Sequence, residues 1–170
     1  MNSITRFVPA LAVLALVTAC GGGGSSSDAT VTPTTTTPVV ATDSSRYAGN
    51  WALCHSTGAT TSTREAIAIT ATSATTVAFT QSETLFASLN CAGAAGATTT
   101  STGTGVFVGT KTVGVDTVDK INVTQGTTTN KQILLVTATT LKSGKAPSEG
   151  GVLDADGYPT TFETNAFTKQ

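Results

Sequence analysis

The sequence predicts an all-β domain: an antiparallel meander of about eight strands that closes into a barrel or, alternatively, packs as a two-sheet β-sandwich. Three observations predict it. Runs of β-branched and aromatic residues are short, Gly, Asn, Asp and Ser separate them, and no stretch has helical periodicity. Threonine accounts for 38 of the 170 residues and combines β propensity with a hydroxyl that hydrogen-bonds to water. Short connections favour antiparallel pairing, because parallel strands need long crossovers.

The N-terminus reads as an export signal rather than as part of this fold. Arg6 lies in a short positive region, and the apolar run from Phe7 to Val17 is too short to span a bilayer as a helix. The segment from Leu16 to Cys20 resembles the lipobox of bacterial lipoproteins, with an aliphatic residue three positions before the cysteine. The resemblance implies that residues 1–19 are a signal peptide and that Cys20 carries acyl chains such as palmitate. An ordinary secretory signal cut near Ala19 is the alternative.

Residues 20–46 are predicted to be a tether between the lipidated cysteine and a domain of residues 47–170. The first part, Gly21–Ser27, has the composition of a flexible coil, and Thr30–Pro38 should be stiffer. Two or three acyl chains anchor a protein firmly to a bilayer. We therefore expect a lipid-anchored protein of the bacterial cell envelope. By resemblance to the enterobacterial sorting rule, Gly21, at the position where an inner-membrane retention signal usually has Asp, favours the outer membrane.

Nine runs of the domain are predicted strands, and the expected order is Ala48–His55, Glu65–Thr72, Thr75–Thr80, Glu83–Ser88, Thr98–Val108, Lys111–Val115, Lys120–Thr124, Gln132–Thr139 and Phe162–Thr168. Gly126–Asn130 is the predicted loop of a hairpin. The Gly- and Pro-rich stretch Ser143–Pro159 is predicted to be a surface loop. Apolar residues at alternate strand positions should line the barrel, as a solid core or around a ligand: Trp51, Ile67, Ile69, Val77, Phe79, Val106, Val108, Ile121, Val123, Ile133 and Leu135.

The start of the domain resembles a known family of ligand-binding barrels. Gly49 and Trp51, separated by one residue at the beginning of the first strand, are similar to the lipocalin signature. The resemblance implies eight strands around a cavity for a small apolar ligand, with the Trp closing the barrel floor near a basic residue of a late strand. Lys169 is the candidate for that residue. The second lipocalin motif, a Thr-Asp-Tyr-like turn, is missing, and a Trp that merely fills the core is the alternative.

The cysteine count predicts one disulfide. Of three cysteines, Cys20 is assigned to lipidation, which leaves Cys54 and Cys91 in an exported domain. A redox or metal pair is disfavoured, because no Cys-x-x-Cys spacing is present and one nearby histidine, His55, cannot complete a zinc site.

Charge and motifs exclude several functions. A net charge of −1 and a pI near 5.7 argue against nucleic-acid binding through phosphates. Asp154 and Asp156 before Gly157 are a weak candidate for calcium, but the twelfth loop position, where Glu is needed, is Asn165. No other metal site and no cofactor are predicted.

The titratable residues do not assemble into a catalytic motif. No Gly-x-Ser-x-Gly elbow accompanies His55. Paired carboxylates for glycoside chemistry could come from several acids, and nothing in the sequence selects a pair among Glu65, Glu83, Asp116, Asp119 and Glu163. We therefore predict a non-enzymatic protein. Its barrel either binds a small apolar ligand or, alternatively, is a structural or protein-interaction module of the envelope with a filled core.

Overall fold

The structure, a computed structural model, describes residues 43–170. The predicted signal peptide, Cys20 and the tether as far as residue 42 lie outside the described residues. The strands are β1 (Gly49–Ser56), β2 (Ser62–Ala71), β3 (Thr76–Phe86), β4 (Ala95–Val113), β5 (Asp116–Gln125), β6 (Thr128–Val136), β7 (Thr140–Ser143) and β8 (Phe167–Lys169). Short 3₁₀ helices span Ser44–Tyr47 and Pro147–Glu149. Across residues 43–170, no helix combines the length and hydrophobicity needed to cross a bilayer.

The strands form one closed barrel in sequence order. Each strand pairs antiparallel with the next, and β8 closes the barrel by pairing with β1, where Lys169 lies opposite Trp51. The predicted all-β antiparallel meander is confirmed, and the barrel rather than the sandwich is its architecture. Gly114 and Gly126 begin two-residue turns with φ of +62° and +57°, a backbone conformation that costs glycine little.

Two long strands replace pairs of predicted short ones. β3 joins the predicted runs Thr75–Thr80 and Glu83–Ser88, and β4 joins Thr98–Val108 and Lys111–Val115. The sequence suggested a break at Gly109, where the strand instead has a register shift between Phe107 and Gly109. Such a bulge takes up an extra residue without ending the strand.

The register decides which side chains enter the barrel, because residues paired across antiparallel strands point to the same face. Trp51 pairs with Ile67, Ile69 with Phe79, and Gly105 with Val123. The main core cluster contains seven of the predicted lining residues, fully or partly buried: Trp51, Ile67, Ile69, Val77, Phe79, Ile121 and Val123.

Four predicted lining residues lie elsewhere. Val106 and Val108 are 44% and 42% exposed, and the interior position between them belongs to Phe107. In a run of three apolar residues, the sequence does not show whether the middle residue or the two outer ones face the barrel interior. Ile133 and Leu135 point out of the barrel and pack in a second cluster with Tyr158 and Phe162.

This second cluster lies beneath the segment of residues 144–166, which we call the C-terminal segment. Isolated bridges pair Gly144 with Phe162 and Leu153 with Pro159. The Tyr158 hydroxyl donates to Asn122 Oδ1 of β5 at 2.8 Å. The predicted surface loop is thus a folded cover over the outer face of β5 and β6. It explains why β6 is apolar on both faces.

The two ends of the barrel differ. At one end, here called the helix end, the 3₁₀ helix Ser44–Tyr47 attaches to the β2–β3 turn, and the Ser44 amide donates to Ala74 O at 3.0 Å. Ser44 is fully buried, so the folded unit includes residues assigned above to the tether. At the opposite end, here called the far end, the predicted disulfide joins Cys54 of β1 to Cys91 of the β3–β4 loop, with the Cα atoms 6.0 Å apart.

Candidate functional site

The barrel interior near the helix end is packed with the protein's own side chains. Tyr47 and Trp51 have no exposed surface, and the Tyr47 ring stacks on Phe107 with the centroids 4.8 Å apart. The Trp51 indole nitrogen donates to Tyr47 O at 2.9 Å, which satisfies its polar atom. The 3₁₀ helix thus adds a large aromatic side chain to the core.

Two glycines on β4 allow this packing. A Cβ atom at Gly105 would lie 2.5 Å from Ile121 Cδ1, and one at Gly103 would lie 2.5 Å from Phe79 Cζ. Real Cβ atoms do not approach other atoms so closely, so the large side chains of β3 and β5 fill the space that β4 leaves. The middle of the barrel has no room for an added methyl group at these two positions.

Lys169 lies beside Trp51, where the lipocalin resemblance implies a basic residue. Its Nζ atom is 5.2 Å from the centroid of the indole, within the range of a cation–π contact. A Cβ atom at Gly49 would lie 3.0 Å from Lys169 Cε, so the glycine leaves room for the lysine stem. Gly49, Trp51 and Lys169 therefore form one contact set that joins β1 to β8.

A buried carboxylate, that of Asp119, lies at the helix end of the barrel. Asp119 faces the interior and is 1% exposed; its carboxylate accepts from the Tyr47 hydroxyl and from the Arg46 guanidinium. Burial raises the pKa of Tyr47 to about 12, against the opposing effect of Arg46, so the hydroxyl stays protonated and donates. Arg46, immediately before the barrel, is thereby tied to β5. The sequence contained no signal for this network, because Arg46 and Asp119 are 73 residues apart.

The interior becomes polar toward the far end. Glu65 and Glu83 are directly paired across β2 and β3, and the inward-facing His55 has its Nδ1 atom 3.7 Å from Glu65 Oε1. Of the acids considered above, the fold thus brings this one pair together, beside the single histidine. In the part of the chain that the structure describes, no group of three or more His, Cys, Asp or Glu side chains is arranged to hold a metal ion.

The Asp154–Gly157 turn holds the C-terminal segment to the barrel. Asp154 Oδ1 accepts from the amides of Asp156 at 3.0 Å and Tyr158 at 2.9 Å, and its other oxygen binds the Lys111 ammonium. These contacts, that of Lys111 first, lower the pKa of Asp154. A lysine therefore occupies the position beside this carboxylate that the weak calcium hypothesis gave to the metal ion.

A second carboxyl pair lies within the C-terminal segment. Glu163 Oε1 accepts from the Ala146 amide at 3.4 Å and interacts with the carboxyl group of Glu149. Burial raises the pKa of Glu163 from its ordinary value of 4.5 to about 7, and hydrogen bonding and repulsion from Glu149 add to the rise.

The raised pKa of Glu163 predicts a pH-dependent stability. Because the folded state holds this proton more tightly than the unfolded chain, the free energy of unfolding should fall as the pH rises from about 4.5 to about 7. Glu163→Gln keeps the side chain neutral and should reduce that fall. The measurement is urea unfolding at several pH values between 4 and 8. An equal slope in both proteins would contradict the prediction.

The outer face of β2, β3 and β4 carries an open groove of about 370 Å³. Small residues, threonines and one phenylalanine line it: Ala68, Thr70, Ala78, Phe79, Thr80, Thr102, Gly103 and Thr104. None of them is charged. This groove lies outside the barrel, and sequence analysis did not anticipate it, because the outward threonines of a sheet look like ordinary solvated positions.

Comparison with known proteins adds no relative to this description. No protein-family model matches the chain, and neither a curated protein nor a solved structure matches it.

Proposed function

We propose that the protein is a non-enzymatic, lipid-anchored module of the bacterial cell envelope that acts through its outer surface as a protein-interaction module. The observation that carries the proposal is the close packing of Phe79 and Ile121 over Gly103 and Gly105. An apolar ligand needs an apolar space, and the close packing at these two positions supports a filled core instead.

The polar far end also favours an interaction module over a carrier. An apolar molecule that entered there would pass His55, Glu65 and Glu83, and it would displace water from them without replacing their hydrogen bonds. The outer surface, in contrast, has low charge and an open groove, and it would be displayed on the tether.

The filled barrel is tested with an apolar fluorescent probe, N-phenyl-1-naphthylamine. We expect the unsubstituted chain to give no saturable rise in fluorescence. Phe79→Ala removes a partly buried ring next to Gly103 and should create a space that binds the probe, since apolar cavities accept small aromatic molecules. This variant is the positive control. Saturable binding by the unsubstituted chain would favour the alternative, a carrier of small apolar ligands.

The anchor is tested separately. We expect Cys20→Ser to move the protein from the membrane fraction to the soluble fraction of the envelope, because the thiol that accepts the diacylglyceryl group is lost. The unsubstituted chain is the control, and incorporation of labelled palmitate is the second readout. If the variant still fractionates with membranes, the proposed lipid anchor is wrong.

A further inference from the structure

Within residues 43–170, strand β4 has a long edge at the far end that pairs with no strand on the β5 side. On one side it pairs with β3 from Ala95 onward, whereas its pairing with β5 begins only at Thr104. Every residue from Ala95 to Thr102 is exposed. Within residues 43–170, a side-chain hydrogen bond reaches this edge from the β5 side: the Gln125 amide donates to Ser101 Oγ at 3.2 Å. We call residues 97–102 the free edge.

The free edge lacks the features that usually prevent strands from pairing between molecules. Exposed edges are normally protected by charged residues, proline or a covering segment. Here the chain from Ala87 to Thr110 contains no Asp, Glu, Lys, Arg or Pro. The disulfide at Cys91 holds the preceding loop to β1, so the edge is presented by a fixed hairpin rather than by a loose one.

The composition of the free edge favours a copy of itself. Thr98, Thr100 and Thr102 lie on the outer face, and Thr–Thr pairs already join neighbouring strands there: Thr84 and Thr98 have hydroxyls 3.0 Å apart, and those of Thr124 and Thr129 are 2.8 Å apart. A second antiparallel copy would extend this arrangement. Since the edge carries no charge, two copies meet without repulsion.

We propose that two copies of this protein associate through their free edges, as an antiparallel β4–β4′ pair centred on Thr100. In this register Thr100 meets its own counterpart and Thr98 meets Thr102 of the other copy, which gives the largest number of Thr–Thr pairs on the outer face of the free edge. The pairing is symmetric, so one dimer uses both free edges and does not grow into a fibre. This inference rests on the proposed function and names the partner of the interaction module as a second copy.

A cysteine scan in the membrane-anchored chain tests the register. Thr100→Cys should give a disulfide-linked dimer on a non-reducing gel, because the two Cα atoms come within bonding range at the symmetry axis. Thr104→Cys is the matched control. This residue lies on the same face of β4 but is paired on both sides, with Ala78 and Thr124, so the variant should give no disulfide-linked dimer on the gel. Equal cross-linking at both positions would indicate random collision and overturn the proposal.

A mixed experiment separates this register from others. Chains with Thr98→Cys and chains with Thr102→Cys should cross-link when they are expressed together. When each is expressed alone, it should give no disulfide-linked dimer, because the two cysteines of that dimer are not opposite each other. Cross-linking of Thr98→Cys with itself would overturn the register. A cross-link from Thr100→Cys to a different protein would overturn the second copy as partner and leave the interaction module standing.

A charge variant measures the association itself. Thr100→Lys places two ammonium groups side by side and should weaken dimerisation at least about tenfold, whereas Thr104→Lys should leave it unchanged. Sedimentation of the Cys20→Ser chain over a range of concentrations gives the dissociation constant. The two proposals can fail separately. If the chain excludes the apolar probe but stays monomeric at every concentration and gives no cross-link on membranes, the dimer is wrong and the filled barrel stands. If the chain binds the probe, the filled barrel is wrong and the dimer is not affected.

Discussion

Replacing both domain cysteines, Cys54→Ser with Cys91→Ser, should lower the free energy of unfolding by about 4 kcal/mol, the value that the chain-entropy model gives for a loop of this size. The disulfide spans 37 residues of sequence and joins the end of β1 to the β3–β4 loop. Its loss frees the unfolded chain more than it changes the folded one. Urea unfolding of the oxidised chain and the double variant measures the difference.

The same variant should loosen the far end more than the helix end. The Cys91 amide donates to the buried Ser62 Oγ at 2.9 Å, so the disulfide supports a contact between the β3–β4 loop and β2. We expect amide hydrogen exchange to accelerate in the halves of β3 and β4 that lie at the far end, while residues around Trp51 keep their relative protection. The addition of reductant to the unsubstituted chain should have the same effect. If the double variant loses less than about 1 kcal/mol of unfolding free energy, contacts other than the disulfide hold the β3–β4 loop in place.

Arg46→Ala is the second change with a large expected effect, about 3 kcal/mol, near the lower limit for breaking a buried ion pair. Arg46 has a half-exposed side chain and looks like a surface residue, but its partner Asp119 is 1% exposed. Removal of the guanidinium leaves a buried carboxylate with the Tyr47 hydroxyl as a neutral donor. Thermal and urea unfolding measure the loss.

Two further variants isolate the charge from general effects of losing an arginine. Arg64→Ala is the matched control, since Arg64 is exposed and its guanidinium contacts Gln170 Oε1 at 3.4 Å; we expect a change within about 0.5 kcal/mol. Asp119→Asn in the Arg46→Ala background removes the buried negative charge and should recover part of the lost stability. If Arg46→Ala and Arg64→Ala lower the free energy of unfolding by the same amount, the ion pair does not stabilise the helix end.

Local pattern was sufficient to predict the class of this fold. Alternation in β5, where Ile121 and Val123 both enter the barrel, and the glycine turn after Gln125 follow from side-chain geometry within a few residues. The disulfide followed from counting, because two cysteines allow one pairing. Strand boundaries were less predictable: β7 has four residues, too few to produce a pattern, and a bulge carries β4 past Gly109.

Inward and outward parity could not be predicted where a strand is apolar at consecutive positions. Val106, Phe107 and Val108 have similar propensities, and Phe107 enters the barrel because Tyr47, from a helix that precedes β1, stacks on it. Ile133 is buried and Leu135 is partly buried, but both pack under the C-terminal segment and not inside the barrel. In both cases the deciding contact comes from a residue distant in sequence.

The sequence by itself determined that this is an all-β domain with one disulfide, because composition and residue counts carry that information locally. Its export and lipid anchor stay predictions from short motifs. The tertiary structure alone decided that Phe79 and Ile121 pack over Gly103 and Gly105, that Arg46 pairs with Asp119, and that within residues 43–170 strand β4 extends past its pairing with β5. Each of these features depends on the strand register and on the closure of the barrel. Both bring together residues that are distant in the sequence, so local sequence patterns do not predict them.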